Sequence, residues 1–290
     1  MRAFDYVSAD SVKEVVGLLA SSNGGAFVLS GGTDLLVQLR ENRRKAELLI
    51  DVKNIPELTA IHFDPQSGLR LGAAASCFAI CQDRFVLENY PGLVDAIKLI
   101  GGVQIQSRAS VGGNLCNASP AADSIPALIV HHATCSIANR DGTREIPVER
   151  FCTAPGRNAM ERGEFLLAVN VPASPANFGA HYLRFIPRNE MDIAVVGAGA
   201  AIALDDTKQR ILSARIALGA VAPTPLFVEE AGAFLAGREI TAETIQEAAR
   251  IAQAAARPIS DLRGTAEHRK HLCAVLTRRA LEKAIERAKG

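Results

Sequence analysis

The chain has 290 residues, 48% of them hydrophobic and 22% charged, with a formal net charge of +1. That composition describes an ordinary globular protein with material for one large core or two to three smaller ones. A near-neutral surface offers no basic field for nucleic acid, and no apolar stretch approaches the roughly 20 residues that cross a bilayer.

In chain order, Val12, Val15, Val16, Leu18 and Leu19 share one face and predict a helix over 11–21. An apolar run at 26–29 stops at Ser30-Gly31-Gly32, which reads as a strand ending in a turn. Residues 35–40 read as a helix and 48–52 as a second buried strand, an alternation that predicts a small α/β unit with parallel pairing. From Leu58 the texture changes. Strands are expected at 61–63 and 69–71, helices at 78–82 and 93–100, and strands again at 135–138, 144–147 and 165–171. Between them, 101–123 reads as a long loop, followed by an apolar segment over 125–130. The stretch 172–177, rich in proline and small polar residues, is the best linker candidate. Beyond it, strands over 194–204 and 211–221 and helices over 227–236, 242–255 and 267–288 predict a sheet covered by helices. The expected domains are 1–176, with subdomains at 1–56 and 57–176, and 177–290.

The cysteines, Cys77, Cys81, Cys116, Cys135, Cys152 and Cys273, are scattered without a C-x-x-C pair or companion histidines. That spacing argues against zinc or an iron–sulfur cluster and for buried free thiols. Tryptophan is absent and aromatic residues are few, so base-stacking platforms are not expected. The opening residues Met1-Arg2-Ala3-Phe4-Asp5-Tyr6 lack the apolar core of a signal peptide, and the expected compartment is cytoplasmic. His131-His132 has no further ligands near it in sequence and reads as structural. The last helix carries Arg269, Lys270, Arg278, Arg279, Lys283 and Arg287 around Leu272, Leu276 and Ala280, the pattern of a solvated amphipathic helix or of a partner contact.

Two glycine-rich loops carry the chemistry. The first, Ser30-Gly31-Gly32-Thr33-Asp34, follows a strand and precedes a helix, so its backbone can approach an anion while exposed N–H groups supply positive potential. It is neither G-x-G-x-x-G nor a Walker A loop. The second runs from Ala109-Ser110-Val111-Gly112-Gly113-Asn114 to Cys116, Ser119 and Asp123. Hydroxyls, a Gly-Gly opening, amides and a carboxylate at that density suit a diphosphate with a polyhydroxyl chain. Asp123 also precedes the apolar segment 125–130, so a helix N-cap is its alternative role. Together the loops suit one extended dinucleotide held between two subdomains.

With the later Asp192-Ile193-Ala194, these motifs resemble the FAD-binding subunit of the molybdenum hydroxylase family, over essentially the whole chain. The family includes the medium subunits of carbon monoxide dehydrogenase and quinoline oxidoreductase and the flavin domain of xanthine dehydrogenase. The resemblance implies an α+β fold, with a two-subdomain FAD-binding domain of the PCMH (vanillyl-alcohol-oxidase-like) type and a C-terminal sheet-plus-helices domain. It implies that Val28, Ser30, Gly31, Gly32, Thr33 and Asp34 meet the diphosphate. Ala109, Ser110, Gly112, Gly113, Asn114, Cys116, Ser119 and Asp123 form the second cofactor loop, Asp123 holding sugar hydroxyls. Leu166 gives an apolar contact, and Arg184 stands where a lysine usually pairs with the cofactor, its alternative being a surface charge beside a strand. The segment 185–194 flanks the isoalloxazine ring and influences the electron acceptor; Ile100 and Ile193 are apolar neighbours. Met191 is neutral where the xanthine dehydrogenase branch is often acidic, so NAD is not assumed as the acceptor.

The implied function is electron transfer in an oxidoreductase complex. Noncovalent FAD receives electrons from [2Fe–2S] clusters of a small subunit, while molybdopterin lies in a large subunit and neither group binds this chain. A dimer of heterotrimers, a heterohexamer, is implied as well. The alternative is a self-sufficient reductase similar to UDP-N-acetylenolpyruvoylglucosamine reductase. It would need substrate-binding and proton-donating groups in a C-terminal region that is largely alanine-rich helices.

Overall fold

The structure, a computed structural model, describes residues 2–188 and 191–290; Met1, and Asn189 and Glu190 within the 185–194 segment, lie outside the described residues. The first unit runs β1 (Asp5–Ser8), α1 (Val12–Ser21), β2 (Ala26–Leu29), α2 (Leu35–Arg40) and β3 (Leu48–Asp51). β3 lies in the middle, parallel to both neighbours, as the sequence alternation predicts. α1 begins where Ser11 accepts the N–H of Glu14, and it buries Val15, Val16 and Leu19. Parallel pairing puts the C-terminal ends of β2 and β3 on one edge, where the first glycine loop leaves the sheet.

The second unit contains α3 (Pro56–Thr59), β4 (Ile61–Asp64), β5 (Gly68–Gly72), α4 (Cys77–Gln82), α5 (Arg84–Asn89) and α6 (Pro91–Ile97). It continues through α7 (Val103–Gln106), α8 (Val111–Asn117), α9 (Ser124–Val130), β6 (Thr134–Asn139), β7 (Gly142–Pro147), β8 (Cys152–Ala154), β9 (Arg157–Asn158) and β10 (Phe165–Val171). Its antiparallel sheet has the order β4-β5-β10-β6-β7, with the almost wholly buried β10 at the centre. The expected long loop at 101–123 is corrected here, since it holds two short helices. Ser110 caps α8 by accepting the N–H of Gly113, and a side chain on Gly112 would lie 2.4 Å from the carbonyl oxygen of Ala73. Close packing overrides the poor helix propensity of the glycine pair.

The third unit is a four-stranded antiparallel sheet, β11 (Phe178–Phe185), β12 (Val196–Leu204), β13 (Ile211–Gly219) and β14 (Leu226–Phe227), with α10 (Glu229–Leu235), α11 (Ala242–Ala255) and α12 (Ala266–Lys289). β12 reads V-G-A-G-A-A-I-A-L and is buried throughout, because it is covered on both faces. Val196, Ala198, Ala200 and Ile202 join the core beneath the C-terminal helices, while Ala201 joins the core of the first two units. Close approach decides the composition: a side chain on Gly199 would lie 3.0 Å from the carbonyl of Pro126 on α9, and one on Gly179 of β11 would lie 2.1 Å from that of Ala284 on α12.

The C-terminal helix is not a uniformly solvated basic face. Arg269 is buried and donates to the carbonyls of Val195 and Ala220 and to Asp261. Arg287 crosses to Asp95 on α6, which also contacts His181 on β11. The cysteines are free, with Cys77, Cys81, Cys135 and Cys273 buried; burial pushes the Cys77 thiol up to about 12 and Cys81 to about 11.

Candidate functional site

The two glycine loops meet. A side chain on Gly31 would lie 1.9 Å from the carbonyl oxygen of Arg108, and Gly32 has a φ of +74°, so neither position accommodates a larger residue without strain. The hydroxyls of Ser30 and Ser110 are 3.0 Å apart. From below, Lys53 donates to the Ser30 carbonyl at 3.1 Å and to Asp51 at 2.6 Å. Burial alone would raise the Asp51 carboxyl, but bonds from Lys53 and Tyr6 outweigh it and hold it below its ordinary value. Opposite, Ala109 accepts the N–H of Cys77 at 2.8 Å, fixing the second loop to α4.

Between the loops lies a cleft of about 150 Å³. Of the residues expected at the site, Val28, Ser30, Gly31, Gly32, Thr33, Asp34, Ile100, Ala109, Ser110, Gly113, Asn114 and Cys116 line it. Among the described residues, no acceptor meets the N–H groups of Gly31, Gly32, Thr33 and Asp34. A side chain on Gly113 would meet only the Ser110 hydroxyl, at 3.0 Å, so that wall is open. Unsatisfied donors opposite an open glycine surface fit the phosphates of a dinucleotide.

The other expected residues lie elsewhere. Gly112 turns away from the cleft onto Ala73, and Leu166 is buried in β10. Ser119 and Ile193 line a separate pocket of about 360 Å³ with Pro120, Ala194, Arg257 and Arg263. Asp123 and Arg184 do not line the cleft; Asn114, which does, accepts at Oδ1 from Ser124 at 2.6 Å, and Ser124 follows Asp123. Leu29 and Asn117, members of the two loops, also lie on the cleft, as do Leu35, Gln38 and Arg44, which sequence reasoning missed. Gln38 follows Asp34 by one helical turn and bonds Asn117 at 3.1 Å, a spacing that could have flagged it; nothing local signals Arg44, which lies over the Phe27 ring.

Asp123 does not cap α9. Its backbone is already helical and its side chain makes no cap bond; Oδ1 accepts from Tyr182 at 2.9 Å and Oδ2 from Arg184 at 2.6 Å. Arg184 is likewise no surface charge, with its side chain 6% exposed and its Nε buried without an acceptor. Burial pushes the Asp123 carboxyl up to about 6, against the opposing pull of Arg184 and Tyr182.

Residues 2–174 match the family described as FAD binding domain in molybdopterin dehydrogenase. The chain belongs to this family. Residues 181–284 match the CO dehydrogenase flavoprotein C-terminal domain, so the fold implied by the sequence motifs is the one found. The family member described here is 30% identical to the xanthine dehydrogenase FAD-binding subunit of Escherichia coli O157:H7, over 99% of both chains. It is 31% identical to the carbon monoxide dehydrogenase medium chain of Afipia carboxidovorans, again over 99% of both. A chain of a carbon monoxide dehydrogenase from Hydrogenophaga pseudoflava superposes with a TM-score of 0.94 at 31% identity, covering 99% of this chain and 98% of that one. FAD binding and oxidoreduction are therefore the chemistry of this family member. Among the described residues, no helix is long and apolar enough to cross a membrane.

Proposed function

We propose that this chain is the electron-transfer subunit of a cytoplasmic molybdenum hydroxylase complex, holding FAD without a covalent link. The observation that carries the reading is the cleft between the glycine loops, with unsatisfied N–H groups on one wall and an open glycine on the other. When bound, FAD supplies the two-electron redox chemistry by which electrons pass from [2Fe–2S] clusters of a small partner subunit to an external acceptor. Gly31, Gly32 and Thr33 donate to the diphosphate, with Val28 and Asp34 beside them. Ser110, Gly113 and Asn114 close the opposite wall, while Gly112 sets the position of that wall through its contact with Ala73. Asp123 and Arg184 would anchor the polar end and Ile100 would be an apolar neighbour of the ring, while Leu166, buried in β10, and Ile193, in the separate pocket, stand away from the cleft.

The medium-chain and FAD-binding-subunit names of the relatives support a multi-subunit complex; in this reading molybdopterin lies in a large subunit and the assembly is a dimer of heterotrimers. Residues 1–176 form the FAD-binding domain and 177–290 a C-terminal domain that closes it. Met191 is half exposed, and its sulfur lies 3.4 Å from where a Gly102 side chain would begin. A neutral residue there leaves the local potential less negative, so NAD is not the assumed acceptor. The test is native purification with an absorbance spectrum and metal analysis. FAD accompanied by molybdenum, iron and two further chains is expected. FAD on a lone, metal-free chain that turns over a nicotinamide would overturn the reading.

A further inference from the structure

Side chains two apart on a strand share a face, so Tyr182 and Arg184 of β11 both point toward α9. Glycines on neighbouring strands make room for them. A side chain on Gly197 would lie 2.3 Å from the Tyr182 hydroxyl, and side chains on Gly199 and Gly219 would lie 3.0 Å from the Pro126 carbonyl oxygen and 3.2 Å from its ring on α9. α9 thereby lies close over β12 and β13, and Asp123 just before it reaches β11 through hydrogen bonds from Tyr182 and Arg184. Each oxygen of the Asp123 carboxylate takes one donor there, Tyr182 on one side and Arg184 on the other. Tyr182 is 2% exposed and spends its hydroxyl on this bond, while the Arg184 Nε is left buried without an acceptor.

We propose that Tyr182 is a positioning residue of the flavin site: acting through Asp123, its hydroxyl fixes the Arg184 guanidinium so that the unshared donors of that group address the cofactor. The inference rests on the seating of FAD proposed above. A carboxylate held by one donor alone can rotate, and the guanidinium paired to it rotates with it; a second donor from a rigid strand removes that freedom. The hydroxyl also favours the ionised carboxylate, against burial. On elements packed against α9, Asp95 is engaged with His181 and Arg287, and Arg215 with Glu149, while Arg150, in the turn after β7, is exposed. Cys116 on α8 is a thiol that burial pushes up to about 12. Among the described residues, Tyr182 and Arg184 are the groups bonded to the Asp123 carboxylate.

The test uses the intact complex and follows FAD dissociation and the flavin midpoint potential from pH 5 to pH 8.5. Tyr182→Phe is expected to weaken FAD roughly tenfold at pH 7, the equivalent of one hydrogen bond to a charged group. It should also move the inflection of the potential–pH curve upward by about one unit or more and make the potential more positive below it. Gly197→Ala, which displaces the hydroxyl without removing it, should move the curve the same way; Tyr182→Phe combined with Asp123→Asn should add little to Asp123→Asn alone. A Tyr182→Phe or Gly197→Ala complex that melts earlier yet keeps the wild-type potential curve and FAD affinity would reduce Tyr182 to packing. Gly113→Val separates the two readings. If it loses FAD while Tyr182→Phe changes nothing, the seat stands and the role of Tyr182 falls; full FAD occupancy in Gly113→Val removes the seat and this inference with it.

Discussion

A side chain placed on Gly31 would begin 1.9 Å from the carbonyl oxygen of Arg108, whereas one on Gly113 meets only the Ser110 hydroxyl, at 3.0 Å. The two glycines therefore fail differently. Gly31→Ala must push two backbone segments apart and should lower unfolding stability by about 1–3 kcal/mol. Gly113→Val should lower it by no more than about 1 kcal/mol, the scale of a disturbed cap, yet empty the site of FAD. Denaturant unfolding beside the flavin absorbance of each purified variant checks both outcomes. Which glycine carries the close approach was not legible, because Arg108 is distant in sequence.

Titration belongs at the same scale. Asp123 is raised to about 6 by burial, so its stabilising contribution is present below about 3.9, the unfolded value, and lost as pH rises through 6. Apo chain should gain on the order of 1–3 kcal/mol between pH 7 and pH 4 from this group, a gain absent in Asp123→Asn. Glu164 runs the other way. Arg144 and neighbouring donors hold it down to about 2, so its contribution is present above about 4.3 and lost as pH falls through 2. Unfolding curves at half-unit pH steps separate the two windows.

At the scale of elements, strands and helices with strong local patterns were legible: β2, β10 and α11 stand where apolar runs or helical periodicity place them. α8 was read as loop because its glycines argue against a helix in isolation, and only its packing on Ala73 makes the helix affordable. β11 was missed since F-G-A-H-Y-L-R-F alternates weakly; its edge position lets His181 and Arg184 serve other units. The basic residues of α12 read together as a solvated face or a partner contact, whereas Arg287 ties the helix to α6 through Asp95. Burial alone would raise the Asp95 carboxyl, yet bonds from His181 and Arg287 hold it below its ordinary value. Arg287→Ala should therefore destabilise the chain by about 1–3 kcal/mol, measured by urea unfolding, while FAD affinity in the folded protein stays within about twofold.

Across the whole molecule, the cleft joins loops from two units, and the third unit supplies Tyr182 and Arg184, which bond Asp123. A ligand bound across such a junction stabilises the folded chain by mass action. FAD at a hundredfold excess over its dissociation constant should add about 2.7 kcal/mol, seen as a rise in melting temperature that grows with FAD concentration. Gly113→Val should show no such rise.

By itself the sequence determined the class of the fold, the two glycine loops and the family, because strand ends, caps and glycine pairs are properties of neighbouring residues. The tertiary structure alone decided that Asp123 pairs with Tyr182 and Arg184 instead of capping α9. It also decided that Ser119 and Ile193 face a different pocket from the cleft. Those outcomes depend on sheet register and on glycines that let α9 lie against β12 and β13, distances set by packing between segments far apart in the chain.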